Sequence, residues 1–249
     1  MNDRSVIEIQ GQDRIKFLQN LVTNDVSGLS QGPVYSAILT PQGKFMADFF
    51  LIERGDSILM DIHQQLAGDI LKRLNMYRLR ADVQLGLTDM IVSRGVDDAP
   101  QGAVMDPRHP DMGWRFYGDS DLSQPNIDWT ARRIAAGVPD YPQDLTTDSY
   151  ILEMGFERLN GVNFKKGCYV GQEVTARMKH KTELKKGLVR LTFAQTAPTS
   201  GEIVTEHGKP AGYVSSASGT QALGYLRFDR GNGISCNGIQ ITKVEPLIT

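Results

Sequence analysis

Residues 166–173 read KGCYVGQE, and this octet places one of only two cysteines in the 249-residue chain between a pair of glycines, with Lys165 and Lys166 just before them. The segment that follows, GQEVTARMKHK, is rich in helix formers, with Gln172 and Glu173 in the expected first turn. Cys168 therefore precedes a helix N-terminus, where main-chain N–H groups and the macrodipole favour an anion, and Lys165 and Lys166 add positive charge. Gly167 and Gly171 permit tight turns on either side. These conditions favour a thiolate; the alternative is an inert loop cysteine whose glycines only shape the turn.

Working outward, residues 165–190 hold Lys165, Lys166, Arg177, Lys179, His180, Lys181, Lys185, Lys186 and Arg190 against Glu173 and Glu183. Such a run is either a solvated face or an anion site for a polyanionic small molecule or RNA phosphates. Beyond residue 184 short apolar runs (GLVRLTF, GEIVTE, AGYVSS, ALGYLRF, GIQITKVE) recur at intervals of roughly ten residues, the spacing of a small antiparallel barrel or sandwich. Upstream, DRIKFLQNLVTNDV carries Ile15, Leu18, Leu21 and Val22 at helical spacing, so a helix is expected over 13–26 with Asp13 at its start. VYSAIL and KFMADFFLIE flank a Thr40–Gly43 turn and read as a hairpin; SILMDIH is a third strand. A second helix follows through Leu66, Ile70, Leu74 and Tyr77, then strand alternation in RADVQLGL. GVDDAPQGAVMDPRHPD reads as a surface connection, and 129–136 as a short helix ended by Gly137. The chain thus divides into an α+β body, 1–182, and an all-β domain, 183–249.

Composition excludes several classes. With 40% hydrophobic and 22% charged residues and a net charge of -2, the chain is globular and lacks the global basic bias of a dedicated nucleic-acid binder. Cys168 and Cys236 stand outside any CxxC or Cys/His array, so no metal site is expected; Cys236, in GISCNGIQI, fits a small buried hydrophobe. LTPQGKF lacks the features of a P-loop and no dinucleotide fingerprint follows a strand, which disfavours nucleotide hydrolysis and nicotinamide chemistry. The N-terminus MNDRSVIEIQ has no apolar leader, and no stretch approaches the ~20 apolar residues of a membrane span. A cytoplasmic protein without a membrane partner is the expectation.

Asp48 sits in FMADFFL, where alternation sets it with Met46, Phe50 and Ile52. A carboxylate in such surroundings needs a partner. Either it is a satisfied buried group holding the fold, or it lines a pocket and accepts hydrogen bonds from the N–H groups of a heterocycle.

The octet resembles the K-G-C-[FY]-x-G-Q-E signature of the YgfZ family of folate-binding proteins, relatives of the glycine-cleavage T-protein. GQDRIKFLQNLVTNDV, LTPQGKFMADFFL, YRLRADVQL, the DPR at 106–108, RIAAGVP and LEMGFERLNGVNF agree in order. The resemblance implies an α+β fold, a T-protein-like body of two interlocked α/β subdomains with a C-terminal antiparallel β-barrel. It also implies tetrahydrofolate, or another reduced folate, as ligand and a role in assembling or repairing iron–sulfur clusters. Iron–sulfur assembly proteins or client enzymes would be the partners, and tRNA would be reached indirectly through thiomethylating enzymes.

On this resemblance Cys168 and Asp48 are the chemically active pair. Folate contacts are expected from Asp48, Glu153, Lys166, Gly167, Tyr169, Gly171, Gln172, Glu173 and Arg177, with Glu153 of LEMGF taken as the acid that grips the pterin ring. The T-protein lacks a cysteine at the position of Cys168, which disfavours lipoyl-linked aminomethyl transfer. Cys168 would ligate iron transiently or take a sulfur or one-carbon unit. A folate-dependent methyl or aminomethyl transferase and a tRNA-binding modification factor are the alternatives, so turnover of a folate donor stays open.

Overall fold

The computed structural model describes residues 3–181 and 183–248; Thr182, where the sequence places the end of the body, lies outside the described residues, as does the side chain of Lys181. The chain forms two compact units, residues 1–127 with 160–172, and residues 128–159 with 173–249.

The first unit is built on five antiparallel strands: β1 (Arg4–Gln10), β2 (Val34–Leu39), β3 (Phe45–Arg54), β4 (Ser57–His63) and β5 (Gln84–Leu87), in the order β2-β3-β4-β1-β5. The expected hairpin is present: Thr40 N–H donates to the Lys44 carbonyl at 2.8 Å across the turn. β3 is buried on both faces because it is apolar on both. Ala47, Phe49 and Leu51 enter the apolar core with Leu18, Ile70 and Leu74 from α1 (Arg14–Gln19) and α2 (Gln64–Arg78). The opposite face sets the buried carboxylate of Asp61 in a row with Tyr35, Phe50 and Val6, since the register pairs Tyr35 with Phe50, Phe50 with Asp61, and Asp61 with Val6. A one-residue slip would exchange the two faces, so the apolar core pins this row in place. A smaller sheet of β6 (Ile91–Gly95), β7 (Val104–Met105) and β8 (Trp114–Gly118) has the order β6-β8-β7.

Two expectations are corrected here. The helix expected over 13–26 ends at Gln19, and Asp13 makes no side-chain cap. Thr23 Oγ1 instead donates to the Gly161 carbonyl at 2.7 Å, and Asn24 Nδ2 donates to the carbonyls of Tyr35 and Asn160. These short polar side chains trade helical bonds for tertiary ones. The surface connection through 95–110 contains β7, and its Asp106 and Arg108 are 5% and 8% exposed. Their charges are tolerated inside because each neutralises the other.

The second unit contains α3 (Trp129–Ala136), ended as expected by Gly137 in the left-handed region, and nearly all of α4 (Gln172–Lys181). Its six strands, β9 (Lys186–Phe193), β10 (Gly201–Thr205), β11 (Pro210–Ser218), β12 (Gln221–Arg227), β13 (Ile234–Cys236) and β14 (Ile239–Pro246), close into an antiparallel barrel ordered β10-β11-β12-β9-β14-β13. Alternate residues fill it, among them Val189, Leu191, Phe193, Ile203, Leu226 and the buried Cys236. At Gly212 a Cβ would lie 2.0 Å from the Tyr225 carbonyl oxygen, so only glycine lets β11 and β12 approach this closely.

Candidate functional site

The loop that bears Cys168 is fastened at both ends and open at its centre. Lys166 is 8% exposed, and its ammonium donates to the Gln19 carbonyl at 2.8 Å and to the Val22 carbonyl. It thereby caps the last turn of α1, whose terminal carbonyls have no helical partners. The same nitrogen lies 5.1 Å from the centre of the buried Tyr169 ring. At the other end Gly171 adopts φ +84, and a Cβ there would stand 2.6 Å from the Thr40 carbonyl oxygen. Glycine is required on both counts, and the loop rests on the turn of the hairpin whose second strand carries Asp48. Between these anchors Cys168 is exposed. Gly167 differs from the expectation of a tight turn: it lacks a positive φ, and beyond its two chain neighbours no atom of the described residues lies within 4 Å of the place its Cβ would take, so a side chain would meet open space.

Lys166 was expected as a charge beside the thiol, but its charge is directed onto two main-chain carbonyls. Burial, opposed by the charge of Asp25, lowers its ammonium to about 8. The folded state therefore binds fewer protons than the unfolded chain between about 8 and the ordinary 10.5, and this group's contribution to stability rises with pH across that window. Lys166→Met is expected to cost about 1–3 kcal/mol in chemical denaturation, because it leaves two buried carbonyls without a donor. Amide exchange in residues 165–171 should accelerate at the same time; unchanged exchange would show that the loop does not depend on this anchor.

Asp48 is 2% exposed and accepts the Tyr35 hydroxyl at 2.9 Å. It belongs to a larger buried arrangement. Asp61 accepts Arg4 Nε at 2.6 Å, Arg115 Nε at 2.9 Å and the Tyr117 hydroxyl at 2.9 Å. Asp106 and Arg108 pair through two side-chain bonds of 3.0 and 2.8 Å, and Arg115 Nη1 stands 3.6 Å from Asp106. The guanidiniums of Arg4, Arg108 and Arg115 lie 5.7, 4.7 and 4.1 Å from the centre of the Phe50 ring, whose negative faces attract cations. Three carboxylates thus face three guanidiniums. Burial pushes the Asp61 carboxyl upward, but Arg115 and Arg4 outweigh it and hold it down to about 2. Burial likewise acts on Asp106, and Arg108 brings it below the ordinary carboxylate range.

Glu153 belongs to the second unit, where it is 7% exposed and accepts the Tyr225 hydroxyl at 2.5 Å. Its carbonyl takes the Leu188 N–H at 2.7 Å, which fixes the residue to β9. Tyr225 stacks on Tyr213 with ring centres 5.6 Å apart, and Lys186 Nζ lies 5.5 Å from the Tyr225 ring centre. Burial and then Glu153 push the Tyr225 hydroxyl well above its ordinary range. On α4, Gln172 is the first helical residue, and Glu173 pairs with Arg177 at 3.0 Å on an exposed face. Lys179 pairs with Glu157 at 2.6 Å and Arg190 with Glu245 at 2.8 Å. The basic run is therefore interleaved with carboxylates, which reduces its value as a track for phosphates.

The buried arrangement around Asp61 was missed in the sequence. One signal was available: Asp61 sits in SILMDIH, an apolar run like that around Asp48, and the demand for a partner applies equally. Its partners Arg4, Arg115 and Tyr117 are spread over more than a hundred positions, and no local pattern joins them.

The architecture is that of the glycine-cleavage aminomethyltransferase T. The chain is similar to the crystal structure of that enzyme from Bartonella henselae with a TM-score of 0.74 and 14% identity, over 92% of this chain and 77% of that one. Residues 185–247 match the family model for the CAF17 C-terminal beta-barrel domain. In sequence the chain is 31% identical over 226 residues to the mitochondrial iron–sulfur cluster assembly factor IBA57 homolog of Mycosarcoma maydis, covering 76% of this chain. It spans 55% of that relative's length. The mouse mitochondrial iron–sulfur cluster assembly factor IBA57 is 28% identical over 91% of this chain and 76% of its own. These names correct the expectation of a cytoplasmic location, since the relatives point to mitochondria instead.

Proposed function

We propose that the chain is an accessory factor for assembling or repairing iron–sulfur clusters, with Cys168 as the thiol it presents and a reduced folate as its small-molecule ligand. The observation that carries this is an exposed cysteine on a loop braced at Lys166 and Gly171. The relatives named as iron–sulfur cluster assembly factors support it. A thiolate is a soft ligand suited to iron, and it supplies one of the four ligands a cluster commonly takes. The others would come from a partner protein that carries the cluster as cargo. The KGCYVGQE octet supports the finer likeness to the YgfZ family, in which tRNA is affected through client enzymes. Cells lacking the protein should lose iron–sulfur enzyme activity and regain it with the intact chain; normal activity in such cells would remove the proposal.

Folate is the finer part. Asp48 and Glu153 have the acceptor chemistry that pairs with the N–H groups of a pterin ring, and burial strengthens such bonds. Each already accepts a tyrosine hydroxyl, so a bound ring competes with Tyr35 or Tyr225 for those oxygens. Calorimetric titration of tetrahydrofolate should show saturable binding, and whichever of Asp48→Ala and Glu153→Gln removes the pterin's acceptor should weaken it by roughly ten- to a hundredfold, the loss of one charge-assisted bond. Cys168→Ala should bind as the wild type does. Absence of binding to wild type would remove the folate and leave the thiol's role untouched.

A further inference from the structure

The end of α2 holds a feature that the fold's own stability does not explain. From Asn75 to Arg80 every residue is exposed, and three are large and apolar: Met76 at 77%, Tyr77 at 39% and Leu79 at 88%. Leu79 has φ 44 and ψ -106, and the Ala81 N–H closes on the Arg78 carbonyl at 2.8 Å. This is a type II′ turn with leucine at its first central position, where glycine is the rule because a Cβ is strained there. A strained backbone that holds an apolar side chain in water costs the free protein twice.

The surroundings define what fits. A cavity of about 300 Å³ beside the turn is lined by Phe17, Leu21, Tyr77 and Ala81 together with Lys16, Arg78 and Arg80. Leu21 and Tyr77 also line an adjoining crevice with Arg73 and Val170, the residue two positions after Cys168. Across both, four cations meet one carboxylate, Asp13, which already accepts the Asp82 N–H at 2.9 Å.

We propose that this ledge is the docking surface for a partner protein whose contact face combines apolar side chains with carboxylates. Leu79 and Met76 are the apolar anchors, and Arg73, Arg78 and Arg80 pair with the partner's acids. Apolar anchors within a charged rim are the usual anatomy of a protein interface, and excess positive charge selects an acidic face. On the assembly role proposed above, this partner is the protein that brings the remaining cluster ligands, since the ledge adjoins the loop of Cys168.

The test uses a synthetic amphipathic helical peptide of leucine and glutamate, titrated into the full chain by fluorescence anisotropy, with a leucine–lysine peptide as counterpart. Wild type should bind the acidic peptide saturably and less tightly as salt rises, and the lysine peptide should not bind. Leu79→Gly should weaken the acidic peptide by roughly tenfold or more while the thermal midpoint holds or rises, and R80E should weaken it comparably. Absent binding, equal binding by Leu79→Gly, or a fall in that variant's midpoint would each overturn the proposal. So would a wild-type dimer that Leu79→Gly dissociates in sedimentation, which would make a second copy the occupant. Cys168→Ser should bind the peptide unchanged, so this outcome is read separately from the role of the thiol.

Discussion

Cys168→Ser is expected to abolish the rescue of iron–sulfur enzyme activity in cells lacking this protein while leaving the fold intact. The substitution replaces one atom at an exposed position, where changes usually stay within ~0.5 kcal/mol. Chemically it is drastic, because a serine hydroxyl is a hard oxygen donor and not a soft ligand for iron. Cys236→Ser is the control: that thiol is buried in the barrel, so the variant should lose stability but retain rescue in proportion to the folded protein present. Peptide docking and tetrahydrofolate binding should survive Cys168→Ser. Full rescue by this variant would sink the proposed role, whatever the folate and peptide titrations return.

Asp61→Asn should produce the largest loss of stability among substitutions that conserve shape. Asp61 is fully buried and receives Arg4, Arg115 and Tyr117. Removing its charge leaves two buried guanidiniums without their principal counterion, which costs about 3–5 kcal/mol, or on the order of 10 °C in thermal midpoint for a chain of this size. The pH dependence carries a sign that a packing defect does not. The folded carboxyl stands near 2, below its ordinary 3.8, so its stabilisation is complete above the ordinary value and is lost as pH falls toward 2. Wild type should lose stability steeply from pH 4 downward, and Asp61→Asn should follow a flatter curve. A midpoint within a degree or two of wild type would show that Arg4 and Arg115 find other partners.

The elements most legible in the sequence were those with an uninterrupted period and a clear stop. The hairpin around Thr40–Gly43, α2, and α3 with Gly137 all formed as patterned. The first helix was overextended because its apolar period runs through Val22, whereas Thr23 and Asn24 find better partners in segments more than a hundred residues away. The candidate site was legible in part for the same reason. KGCYVGQE is contiguous and could be recognised, but the carbonyls that hold Lys166 belong to α1 and its exit.

By itself the sequence determined the β-barrel texture of the C-terminus, the double-sided burial of FMADFFL and the singling out of Cys168. Each depends on residues close together in the chain, where spacing translates directly into a face or a turn. Only the tertiary structure decided that Lys166 turns inward, that Asp48 lies with Tyr35 beside a balanced ion network, and that Leu79 is held strained and exposed. Hydrogen bonds, ion pairs and exposure depend on which distant segments meet, and a local pattern carries no record of that meeting.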